Sequence, residues 1–151
     1  MTDHRTLHIL ANARNEMHKY ESHNRPLSKD YEYIGLVGED EFAKTWGLPM
    51  NLCLKRNGDN GVDYVISGYS IDVKTLRDAR YIKVERGKCR AGIYVLYQYH
   101  DESDTAEFVG WITGHQLSMI PPRDTGRGII NHAMQRENLY DFNTLVRKLR
   151  G

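Results

Sequence analysis

Apolar residues recur at helical spacing near the start of the chain. Leu7, Leu10, Ala13, Met17 and Tyr20 share one side, which predicts an amphipathic helix over residues 4 to 22, stopped by His23-Asn24-Arg25-Pro26. A second helix is predicted from about Asp30 to Trp46, closed by Gly47 with Pro49 beyond. Around this helix Leu36, Phe42, Ala43 and Trp46 form one apolar stripe, and Glu39 falls in the middle of it. Glu41 lies instead beside Ile34 and Val37, and Asp40 looks outward.

The period then shortens. Residues 52–55, 63–67, 69–76 and 79–85 are short β-rich runs, broken by Asn57-Gly58-Asp59-Asn60-Gly61, Gly68 and Gly87. Residues 93–99 and 107–113 read as two more strands around a polar turn. Pro121 to Gly128 reads as a loop. A last helix is expected from about Leu139 to Leu149, with Leu139, Phe142, Leu145, Val146 and Leu149 on one side. Helices, then strands, then a helix predict a mixed α/β (α+β) fold around one sheet.

At 151 residues, 40% apolar and 27% charged, the chain suits one domain with a real core. No run approaches the roughly 18 apolar residues of a membrane span, and the first residues lack a signal peptide's apolar stretch. A cytoplasmic protein with no membrane partner is expected. Cys53 and Cys89 are too few for a four-thiolate metal site and are expected to be reduced. A net charge of +1 says nothing about partners, but its distribution does. Lys74, Arg77, Arg80, Lys83, Arg86, Lys88 and Arg90 face only Asp78 and Glu85 in the same stretch, a local +5. Such a stretch is either a surface that tracks phosphates or a solvated strand and turn.

The candidate chemistry lies just before it. Side chains alternate along a strand, so Asp72 and Lys74 share a face that Ile71 and Val73 do not. A two-residue turn at Gly68-Tyr69 would set Val65 against Asp72 and Asp63 against Lys74, making Asp63 and Asp72 diagonal neighbours. Slipping that turn by one residue is expected to put Asp63 on the other face. Two close carboxylates repel unless a cation lies between them, and oxygen ligands favour Mg²⁺ or Mn²⁺. Such an ion polarises a phosphate oxygen and lowers the pKa of a bound water, while Lys74 steadies the added negative charge. Glu39, costly to bury without a partner, is the expected third acid, with Glu41 second. The competing interpretation is a surface hairpin with an ordinary salt bridge.

Gly38-Glu39 in a helix, Gly61-Val62-Asp63 entering a strand and Ile71-Asp72-Val73-Lys74-Thr75 in the next resemble the PD-(D/E)XK nuclease superfamily. The likeness covers roughly residues 31 to 113, and resolvase-like and phage-type endonucleases are the closer comparison. It implies a restriction-endonuclease-like core, a central mixed sheet flanked by helices. It also implies metal ligation by Glu39, Asp63, Asp72 and the Val73 carbonyl, with Lys74 assisting catalysis. Val62 stands where the name-giving Pro would be, and strands are predicted after Lys74 where the family places a helix.

The expectation is therefore a Mg²⁺- or Mn²⁺-dependent endonuclease that hydrolyses phosphodiester bonds in DNA, working as a homodimer. Arg77, Arg80, Lys83, Arg86, Lys88 and Arg90, with Arg123 and Arg127 from the later loop, are the candidate backbone contacts. The alternative is a nuclease fold used as a non-catalytic nucleic-acid-binding or assembly module. Tyr33-Ile34-Gly35 and Gly92-Ile93-Tyr94 spell the halves of the GIY-YIG motif, but in the wrong order and far apart. The histidines show no metal-ligand spacing with cysteines.

Overall fold

A computed structural model describes residues 4–18, 31–49 and 62–151 of the chain. The helices α1 (His4–His18) and α2 (Tyr31–Trp46) are the two that the apolar spacing predicts. The expected continuation of α1 to residue 22 lies outside the described residues, as do its stop at Pro26 and the strand expected at 52–55. Leu7 and Ala11 of α1 share a core with Leu36, Phe42 and Ala43 of α2. α2 ends as a glycine dictates. Gly47 takes φ +66°, its N–H donates to Lys44 O at 3.4 Å, and the Leu48 N–H donates to Ala43 O at 2.8 Å. That pair of bonds satisfies carbonyls that the helix end would otherwise leave open.

β1 (Tyr64–Ile66) and β2 (Tyr69–Leu76) form a hairpin. β3 (Tyr81–Glu85) leaves it, and β4 (Ile93–His100) and β5 (Thr105–Thr113) form a second hairpin. β2 and β4 pair in parallel, giving a mixed four-stranded sheet in the order β1-β2-β4-β5. Next come the short helix α3 (Gly114–Ser118), β6 (Arg123–Asp124), β7 (Ile130–Gln135) and α4 (Phe142–Arg150). β3, β7 and β6 make a separate three-stranded sheet in that order. The crossover between the parallel strands β2 and β4, which helices commonly supply, here contains β3.

Alternation along β2 and β4 decides which layer each face meets. Ile71, Val73, Ile93, Val95 and Tyr97 turn to one side and pack with α1, α2 and α4. Tyr94, Leu96 and, from β5, Ile112 turn to the other and pack with Ile82 and Val84 of β3 and with Leu117 of α3. The mixed α/β class follows from the pattern, but the long helices α1, α2 and α4 flank one face, and the second sheet with the short α3 covers the other. Two further expectations need correcting. Residues 121–128 contain β6, and β7 follows where no strand was foreseen. The last helix starts at Phe142 rather than Leu139, because Tyr140 exchanges backbone hydrogen bonds with Trp111 at 2.9 and 3.1 Å and Asp141 caps the helix.

Candidate functional site

The hairpin that carries the acids turns at Ser67-Gly68, not at Gly68-Tyr69. Both turn residues have positive φ, 52° and 83°, and Ile66 pairs with Tyr69, Val65 with Ser70 and Tyr64 with Ile71. A two-residue turn of this hand needs φ above zero at both central positions. Gly and Ser tolerate that better than a bulky Tyr. Moving a two-residue turn by one position shifts every pairing by two residues. Faces are therefore preserved, and the expectation that such a slip would separate Asp63 from Asp72 was wrong. Asp72 and Lys74 share a face, while Asp63 lies just outside the paired residues, the last of which is Tyr64 opposite Ile71.

At Asp63 the chain bends out of the ladder. Its N–H donates to Ile71 O at 2.8 Å, and its Oδ2 accepts the Val73 N–H at 2.7 Å. The carboxylate thus takes the place that a backbone carbonyl of β1 would hold if the pairing continued. In a strand the N–H and C=O of one residue point the same way, so the Val73 carbonyl points to the same side of β2 as Asp63. Asp72, on the adjacent face, is buried at 5% exposure, and its Oδ2 lies 3.0 Å from Lys74 Nζ, whose side chain is 38% exposed. Burial alone would lower the Lys74 pKa. The Asp72 charge and hydrogen bond, with Tyr31 and Asp63 behind them, reverse that and hold it above the ordinary lysine value. Lys74 is an ammonium throughout the neutral range.

Glu39 is buried at 6% in the α2 stripe where helix phase places it, while Glu41 is partly exposed beside Lys44 at 3.8 Å. The Tyr64 hydroxyl donates to the Glu39 carbonyl at 3.2 Å, which ties this turn of α2 to the residue next to Asp63. However, α2 packs on the Ile71–Val73 face, opposite Asp72 and Lys74. Among the described residues no three His, Cys, Asp or Glu side chains are placed to hold one metal ion together. The expected four-residue cluster is thus two carboxylates and an ammonium, with the third acid approaching from the far side of β2.

Compared with family models, with curated proteins and with solved structures, the chain matches none of them. What it can do rests on its own geometry.

Two neighbours of the pair escaped the sequence. Tyr94 stands beside Asp72 across the β2–β4 ladder, fully buried, with its hydroxyl accepting the Ala91 N–H at 3.2 Å and donating to Lys88 O at 3.4 Å. Burial raises its pKa, and the nearby Asp72 charge adds to the rise. Cys89, in the same loop, has its thiol pushed up by burial and drawn back in part by Lys74. The loop after β3 therefore borders the Asp72–Lys74 pair. Only the parallel pairing could have revealed this, since no local pattern joins residue 72 to residue 94.

That loop carries part of the basic stretch. Arg77 binds Asp101 through two nitrogens at 2.9 to 3.1 Å, Arg80 meets Asp78 at 2.8 Å, and Lys88 meets Glu85 at 2.9 Å. Lys83, Arg86, Arg90, Arg123 and Arg127 are exposed and make no such pair among the described residues. The second sheet gathers three of them at one end. The Arg86 N–H donates to Ile130 O, Arg123 lies across from Asn131, and Arg127 is in the β6–β7 turn. One histidine and the tyrosines of β4 are structural. His132 is buried with Nδ1 2.7 Å from Ile120 O, and Tyr97 and Tyr99 are core. Tyr33-Ile34-Gly35 lies within α2, not in a strand.

Proposed function

We propose that the chain is a metal-dependent nuclease acting on DNA, with Asp63, Asp72 and Lys74 as its centre. The observation that carries this is the meeting of two carboxylates at β2: Asp63, bound to the Val73 N–H on the side to which the Val73 carbonyl also points, and a buried Asp72 held by Lys74. Burying a carboxylate is expensive, and a simple surface hairpin has no use for one. This donor set fits a hard divalent cation, Mg²⁺ or Mn²⁺, through two carboxylates and one carbonyl. Glu39 belongs to the same corner but completes no group with them in this arrangement.

When bound, the cation would supply the Lewis acidity that phosphodiester hydrolysis needs. The chain's own part is positional and electrostatic. Asp63 is fixed by the Val73 N–H, Asp72 by burial and by Lys74, and Lys74 stays charged to stabilise negative charge growing on phosphorus. Arg86, Arg90 and Arg127 are the first candidates for phosphate contacts because no acid among the described residues pairs with them, with Lys83 and Arg123 along the same sheet. Arg77, Arg80 and Lys88 come second, their exposed pairs being weak enough to exchange. Cutting both strands of a duplex calls for two such sites, so a homodimer belongs to the proposal.

Plasmid and branched DNA, incubated with Mg²⁺, Mn²⁺ or a chelator, test it. Metal-dependent nicking is expected, lowered about 10²- to 10³-fold by Asp72→Asn or Lys74→Ala. Binding without cleavage would favour the non-catalytic module. Cleavage that survives both substitutions would place the active site elsewhere.

A further inference from the structure

The C-terminal turns of α4 carry Arg147, Lys148 and Arg150, and residues 142–151 contain no acid. All three are exposed, and no salt bridge among the described residues involves them. Two of them lie against aromatic rings instead. Lys148 Nζ is 5.1 Å from the centre of the Tyr69 ring, and Arg150 Cζ is 5.3 Å from that of Trp46. Tyr69 itself is 36% exposed. The Ser67 hydroxyl donates to Leu149 O at 2.6 Å, which pins the hairpin turn to the helix end and fixes Tyr69 beside these cations.

Cations in a helix's last turn complement its dipole, which accounts for their position along the helix. It does not account for an exposed ring held among them. A lipid surface is a poor match, because Leu145 and Leu149, the apolar side of α4, are spent on the core. Cations that follow phosphates, interleaved with a ring on which a base can stack, are what single-stranded nucleic acid needs. Tyr69 precedes Asp72 by three residues on β2, about 10 Å of strand, and by alternation it shares the helix-side face of Ile71 and Val73, so a strand bound there rounds the hairpin edge to reach Asp72.

We propose that the end of α4 and Tyr69 form a docking surface for a single-stranded nucleic-acid segment, on the helix-covered side of the hairpin that carries Asp72. This rests on the nuclease proposal, and the test keeps the two apart. The full chain carrying Asp72→Asn is titrated with a labelled oligothymidylate across a salt series. The same is done after adding Lys148→Gln with Arg150→Gln, or Tyr69→Ala, with thermal melts to verify folding. The double substitution should weaken binding about tenfold and reduce the salt slope by about 1.4, that is ~0.7 per lost cation. Tyr69→Ala should weaken binding about tenfold with the slope unchanged. Unchanged affinity and slope in the folded variants would overturn the docking surface, even if the unsubstituted chain cuts DNA. Loss of binding to polyglutamate alone would overturn it too, assigning the patch to an acidic protein. Conversely, the expected losses in a chain that never cleaves would uphold this surface and overturn the nuclease.

Discussion

At the scale of single residues, the tightest constraint near the site is a missing side chain. A Cβ on Gly38 would run into Thr75 Oγ1, with Thr75 Cβ at 2.9 Å and Cγ2 at 3.1 Å. Thr is stiff at χ1, so it cannot easily step aside. Gly38→Ala should therefore cost about 1–3 kcal/mol in urea unfolding, by pushing α2 off β2 one residue from Lys74. Adding Thr75→Ala should recover much of that loss, and a Gly38→Ala chain as stable as its parent would show that the contact is loose. Burial of Glu39 was legible, because helix phase alone put it in an apolar stripe. The bond from Val73 N–H to Asp63 was not, since it forms only where β1 stops pairing.

At the scale of elements, periodicity located α1, α2, β2, β4 and β5, whose apolar positions repeat clearly. It missed β7, where Asn131 and His132 interrupt the alternation. Both are buried because partners on other elements satisfy them, Thr125 for Asn131 and the Ile120 carbonyl for His132. The true start of α4 lay in its cap, where Asp141 accepts the Thr144 N–H at 2.9 Å. The Thr144 backbone bond, then its hydroxyl, hold the Asp141 carboxyl below its ordinary pKa. A folded-state pKa depressed in this way stabilises the protein above the unfolded value, near 3.9, and the benefit fades as pH falls through the folded value. Asp141→Ala should thus lower the melting temperature by a few degrees at pH 7. The difference from the parent should vanish in strong acid, and a difference that persists there would assign it to packing instead.

On the scale of the whole molecule, the two cores are the two faces of one sheet. Ile93, Val95 and Tyr97 of β4 belong to the helix-covered core, and Tyr94 and Leu96 to the core beneath the second sheet. Neither layer can lose its packing without exposing the back of the other. Ile93→Ala and Leu96→Ala should each cost about 2–5 kcal/mol, and both should lower one shared transition seen alike by tryptophan fluorescence and circular dichroism. Two separated transitions in either variant would mean that the second sheet unfolds on its own. Among the described residues, no helix is long and apolar enough to cross a membrane.

The sequence by itself determined what depends on short-range period. It set the mixed α/β class, the helix that buries Glu39, and the shared face of Asp72 and Lys74. Those follow from the 3.6- and 2-residue repeats, which hold whatever the chain packs against. Only the tertiary structure decided the rest. Backbone strain chose Ser67-Gly68 over Gly68-Tyr69 as the turn, and the parallel β2–β4 pairing brought Tyr94 and the basic loop to Asp72. The strand predicted after Lys74 joins a second sheet as β3, on a face where the family resemblance implies a helix. The turn depends on φ at two adjacent residues and the sheet pairings on residues distant in the chain, and periodicity carries no record of either.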